Sequence, residues 1–269
     1  MKFAFKSIVV AAAFVAAGAA SAATLTAGNT AQTVNGVYLV GGTGSLTFDN
    51  FDPTTGTIEG SMVDVLNTGT VAVQAAGLAV PTITGTVGDY TFVNVAAPVS
   101  SATVDAAGNI LTAASSGGAT QVAGFVRGIS GGGTVSVTNL NIDMASKTIY
   151  ADIFGQTSAT ATVPGSVSLS QVAAFTFADV TGPTAITGAG TYTNVLSGLA
   201  MTETAINNIK IALDLKTNGF NAFKYAATTD FGSLTSTITV AAVPEPSTYA
   251  LMGLGLVGIG MAARRRAAK

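Results

Sequence analysis

Apolar and small polar residues alternate with a period of two along most of this chain. The pattern is clear in GSLTFDNF (44–51), GTVSVTNLNIDM (133–144), KTIYADIF (147–154), NIKIALDL (208–215) and SLTSTITVAA (233–242). Successive side chains of a strand point to opposite faces, so such segments bury one face and wet the other, as antiparallel sheets do. Abundant Thr, Val and Ile favour strands, and Gly and Asn punctuate them. The expected fold is all-β: an antiparallel β-sandwich or elongated β-rich unit over residues 23–243. An N-terminal signal helix and a C-terminal apolar helix flank it.

Two hairpins are predicted. One turns through Asp52-Pro53-Thr54-Thr55-Gly56, the other through Ala145-Ser146-Lys147. Aligning Ser45 with Ser136 pairs Thr47/Thr138, Asn50/Asn141, Asp52/Asp143 and Ile58/Ile149. Two hairpins drawn from a restricted alphabet account for this more simply than a repeated unit. Short helices are expected within 167–180 and 201–210, the second capped by Thr202 or Thr204. SSGGAT (115–120) and SGGG (130–133) read as flexible turns near the middle.

The two ends are of another kind. Lys2 and Lys6 precede an apolar run of about ten residues, followed by Ala20-Ser21-Ala22, a small-x-small site. Residues 1–22 therefore read as a signal peptide cleaved after Ala22 by signal peptidase, with Sec-type export. At the other end, Pro244-Glu245-Pro246 precedes an apolar run (248–263) and Arg264-Arg265-Arg266. As a helix that run covers about 24 Å, short of the roughly 30 Å hydrocarbon core. The arginines would stay cytoplasmic, so insertion is expected to be transient, with a permanent anchor as the alternative.

This order closely resembles the bacterial PEP-CTERM sorting signal, over residues 244–269. The resemblance implies an exosortase substrate, processed at the inner membrane and delivered to the surface or exterior of a Gram-negative bacterium that makes exopolysaccharide. It implies nothing about the work of residues 23–243.

The chain has no Cys, His or Trp. That excludes disulfides, thiolate metal sites and Ser-His-Asp or Cys-His catalysis. Between residues 24 and 243 the basic residues are Arg127, Lys147, Lys210, Lys216 and Lys224, against every acidic residue but Glu245. An acidic body disfavours nucleic acid. Carboxylate pairs are the remaining route to acid–base chemistry: Asp49 with Asp52, Glu59 with Asp64, Asp143 with Asp152. They read better as turn caps and solubilising charges. GGTGSLTFD (41–49) has Leu46 where a calcium nonapeptide needs Asp, and GAGTYT (188–193) lacks the third Gly of a phosphate loop.

No catalytic, cofactor or metal residue is therefore assigned. The sequence favours a non-catalytic surface or matrix protein whose Thr hydroxyls carry glycans or bind exopolysaccharide. The alternative is a β-sandwich module for carbohydrate or calcium, with Tyr38, Tyr90, Tyr150, Tyr192 and Tyr225 lining a groove.

Overall fold

The computed structural model describes residues 22–48, 51–52, 56–57, 60–159, 161, 163–229, 231–243, 251–257 and 259. In chain order the elements are β1 (Ala23–Thr26), β2 (Val37–Phe48), β3 (Phe51–Asp52), β4 (Gly56–Thr57), α1 (Met62–Thr68), β5 (Val71–Ala76), β6 (Val80–Thr86), β7 (Asp89–Val104), β8 (Ile110–Ser115), β9 (Gly118–Ala123) and β10 (Gly133–Asp143). There follow β11 (Thr148–Thr157), β12 (Ser166–Thr176), β13 (Asp179–Thr181), β14 (Gly190–Ser197), β15 (Ala200–Met201), α2 (Glu203–Ala212), α3 (Thr217–Thr229) and β16 (Gly232–Ala242).

The strands form two antiparallel sheets that share β7. Its first half, to Pro98, pairs with β2 and β6; its second half, from Val99, pairs with β8 and β1. The change of partner falls at Pro98, whose missing N–H suits a point where a ladder ends. One sheet has the order β13-β14-β16-β2-β7-β6. The other runs β1-β7-β8-β10-β11-β12-β15, with β9 and then β5 added beside the first half of β10. The inner faces meet over one apolar core that includes Leu39, Val93, Val104, Ile149, Ile153, Leu234 and Ile238. The all-β sandwich expectation holds.

Both predicted hairpins form: Asp52 pairs with Gly56, and Asp143 pairs with Thr148. They are not copies of one unit. β10 pairs with the strand that follows it, whereas β2 pairs with β16 and β7.

Thr202 caps α2, accepting from Ala205 N at 3.2 Å. The alternation at 208–215 is overturned, because α2 covers 203–212. Ala205, Ile206, Ile209 and Ala212 recur at helical spacing and are all buried. The expected helix within 167–180 is likewise replaced by β12. Register shifts against β11 break its period of two, and Gln171 sits at φ 47°.

The turns at 115–120 and 130–133 are built into the core. Gly133 and Gly155 lie on adjacent strands under the last turn of α2. A Cβ on Gly133 would meet Ala212 O, and one on Gly155 would lie 2.7 Å from Ala212 Cβ. Their bare backbones let α2 settle onto β10 and β11. The helices thus cover the inner face of this sheet beyond the reach of the other.

Candidate functional site

The outer face of the β13-to-β6 sheet carries an ordered array of hydroxyls. Register aligns Thr193, Thr237 and Thr43 in one row across β14, β16 and β2. The next row joins Thr235 to Ser45, and the next joins Ser233, Thr47, Asn94 and Thr82 across β16, β2, β7 and β6. Thr191 and Thr239 form a further pair. Rows repeat about every 6.8 Å along the strands, and neighbours within a row stand about 4.8 Å apart.

These side chains are exposed or half-buried, because they alternate with the buried Leu234, Ile238 and Val240. Neighbours fix one another. Thr191 and Thr239 hydroxyls lie 3.2 Å apart, Thr193 and Thr237 3.4 Å, and the Asn94 amide donates to Ser45 Oγ and Thr47 Oγ1 at 2.7 Å each. No residue of these rows is charged. The array offers donors and acceptors at fixed spacing to a neutral, polyhydroxylated surface. Single-strand alternation predicts that these threonines share a face; only the register across β14, β16, β2 and β7 makes them rows.

Among the described residues the carboxylates do not assemble. Asp143 ends β10 and accepts from Ala145 N and Ser146 N at 2.9 and 3.2 Å. These turn hydrogen bonds, chiefly with Ser146, hold its pKa below the usual carboxylate value. Asp152 pairs with Thr138, four residues or about 13 Å further along β11. Asp64 accepts from Gly60 N at 3.0 Å, while Ser61 Oγ accepts from Asp64 N, which closes the start of α1. Asp52 lies in β3; Asp49 and Glu59 fall outside the described residues. Among the described residues no three acidic, His or Cys side chains gather to hold a metal.

Asp152 is 9% exposed. Burial acts to raise its pKa. Hydrogen bonds from Asn139, the Gln171 main chain, Ser170 and the Gln171 side chain outweigh burial and hold it below the ordinary 3.8. The distances are 2.8, 2.8, 2.9 and 3.2 Å in that order. Asn139 and Gln171 both have left-handed backbones, φ 54° and 47°. The carboxylate pins the irregularities of β10 and β12 against each other, which is a structural role.

The tyrosines do not converge. Tyr38 is on β2, Tyr90 at the start of β7 and buried, Tyr150 on β11, Tyr192 on β14 and Tyr225 on α3. The Tyr192 hydroxyl accepts from Thr187 N and Gly188 N and donates to Gly188 O. It closes the 187–188 loop on itself and leaves no phosphate cradle.

At the C-terminal end, residues 251–257 are helical, with Leu251, Met252, Leu254 and Leu256 exposed. No helix among the described residues is long and apolar enough to cross a membrane. Pro244, Glu245, Pro246 and Arg264–Arg266 lie outside the described residues, as does Ala20; Ala22 is exposed just before β1. Residues 242–266 match the family model described as the PEP-CTERM protein-sorting motif. The chain ends in a PEP-CTERM signal. The PEP-CTERM motif supports an exported, exosortase-targeted protein of the cell surface or exterior, with exosortase as its processing partner.

No curated protein matches the chain. Among solved structures, the heme binding protein HtaB from Corynebacterium glutamicum is similar at 13% identity and a TM-score of 0.40. The match covers 77% of this chain and 98% of that one. At that score the likeness supports no inference about this chain.

Proposed function

We propose that the exported body is a non-catalytic component of the extracellular matrix, holding exopolysaccharide against the outer hydroxyl face of the β13-to-β6 sheet. The aligned rows of Thr, Ser and Asn side chains carry the reading. A polysaccharide presents hydroxyls and ring oxygens, which hydroxyls and amides can match as both donor and acceptor. Cross-strand contacts between neighbours reduce the entropy lost on binding. Each contact is worth only about 1 kcal/mol net, so binding depends on many aligned groups along an extended chain.

Thr→Val at positions 43, 193 and 237 removes hydroxyls while keeping shape and strand preference. Co-sedimentation of the full chain with the host's exopolysaccharide is expected to weaken about a hundredfold in the triple variant, with unchanged circular dichroism. Equal sedimentation of wild type and variant would remove this reading.

The tail is the processing site on the same reading. Intact mass of surface-associated protein is expected to lack the residues after the Pro244–Pro246 region. Recovery of Lys269 there would instead establish a permanent anchor.

A further inference from the structure

The sheet that carries the hydroxyl rows ends differently at its two edges. β13, at one edge, is three residues long and opens on Asp179; Gly182 and Pro183 follow it. Short length and charge are common protections of an edge strand. β6, at the other edge, has seven residues and no charge. Among the described residues its only ladder partner is β7. Between Asp64 and Asp105 the one charged residue is Asp89, on the far side of the β6–β7 turn.

The turn and a proline set the direction of the unused backbone groups. Thr86 pairs with Asp89 across the two-residue turn, so Thr86 faces β7. The register shift beside Gly85 adds its extra residue, Thr91, to β7 and leaves β6 continuous. Alternation then turns Gly85, Ile83 and Pro81 to the free edge. Pro81 agrees: it has no N–H, and a proline in a strand keeps its nitrogen on the unpaired side. Ile83, the midpoint of β6, thus leaves both a donor and an acceptor open. Exposed apolar side chains mark both ends of the same edge. Leu78 and Val80, 71% and 63% exposed, stand where β6 begins, and Val87, 51% exposed, is in the turn that ends it.

We propose that β6 pairs antiparallel with β6 of a second copy, about a two-fold axis at Ile83. Each Ile83 donates to and accepts from the Ile83 of the other copy. Each Gly85 N–H donates to Pro81 O of the other, so Pro81 is asked only for its carbonyl, and Gly85 O is left to water. Thr82 stands opposite Thr84 of the other copy. Val87 of one copy comes to the Leu78–Val80 end of the other, once at each end, so the exposed apolar groups are self-complementary. The two Asp89 carboxylates lie at opposite ends of the pair. Two acidic chains therefore meet where neither presents a charge. A two-fold interface closes on itself, and the hydroxyl faces of the two copies become one continuous face. The pairing does not depend on polysaccharide binding.

Sedimentation velocity of the full chain over a concentration series is expected to show a monomer–dimer equilibrium. Thr82→Lys combined with Thr84→Lys sets lysines opposite one another at both places. It should weaken dimerisation at least about tenfold. Both side chains are exposed, so the circular dichroism should not change. The chain has no Cys, so introduced thiols report the register. Oxidised as a mixture, Thr82→Cys and Thr84→Cys chains are expected to give a disulfide-linked heterodimer. Opposite residues of a non-hydrogen-bonded pair bring their Cα atoms to about 4.5 Å, within disulfide reach. Either variant oxidised alone should link at least about tenfold more slowly, its thiols lying on a diagonal of about 7–8 Å. A monomer at every concentration overturns the proposal, and is the outcome expected if this edge takes a foreign peptide instead. So does association that the lysines leave unchanged, which would place it at the exposed 251–257 helix. Linkage of either single variant as fast as the mixture overturns it as well.

Discussion

Asp152→Ala is expected to lower the unfolding free energy by about 3 kcal/mol, and the melting temperature by roughly 10 °C. The substitution removes the acceptor for Asn139 Nδ2, Ser170 Oγ, Gln171 N and Gln171 Nε2. Donors left unpaired in a half-buried setting cost about 1–3 kcal/mol each, less whatever water recovers. Two left-handed residues also lose the group that holds them. Denaturant unfolding of the full chain measures the loss, and a change under about 1 kcal/mol would refute the structural role.

The same carboxylate makes stability depend on acid. Its folded pKa lies below the ordinary 3.8, so the folded state binds its proton less readily than the unfolded chain. The contribution is complete above the ordinary value and is lost as pH falls through the lower, folded one. Asp152→Asn should therefore differ most from wild type at neutral pH and converge with it once the pH has fallen through the folded pKa, below the ordinary 3.8. Parallel stability curves down to that pH would contradict the assignment.

Gly133→Ala is expected to cost about 3 kcal/mol, by forcing α2 off the sheet. The new methyl would meet Ala212 O and, at 2.8 and 3.0 Å, Gln156 O and Thr157 Cα. All three are backbone atoms, so no side chain can swing aside. Gly155→Ala presses on the same Ala212 from the neighbouring strand. The double variant should lose less than the two single losses combined, because α2 can leave only once. Gly124→Ala, with nothing within 4 Å of the added carbon, serves as the neutral control. Equal losses at positions 124 and 133 would mean that close helix approach is not the cause.

Strands whose alternation is unbroken, such as β16 and the first half of β10, are legible in the amino-acid pattern alone. Their apolar positions face a single core without interruption. β12 is not, because Gln171 turns left-handed and shifts the period partway along. α2 is legible twice over: Ile209, Ile211 and Leu213 mimic a strand, and the decisive spacing lies in Ala205, Ile206, Ile209 and Ala212. α3 escapes notice because Thr217, Asn218 and Gly219 are poor helix formers. Its helix rests on packing at Gly219, Phe223, Ala226 and Ala227. β7 hides behind Pro98, which reads as a break and is instead the corner between two sheets.

The hydroxyl rows are half legible. Thr-x-Thr spacing places two threonines on one face, but which strands lie side by side is a property of topology. The sorting signal, by contrast, is fully legible, since a processing enzyme reads it as sequence.

Where β16 sits has a mechanical consequence. It is the last strand before the sorting motif, and it lies between β14 and β2 with ladders on both sides. A tether at that end pulls along the axis of an interior strand. The load is then shared in shear across two rows of hydrogen bonds at once, whereas an edge strand would be peeled away one bond at a time. Were the protein held at its C-terminal end in moving water, drag would reach the fold through this doubly laddered strand.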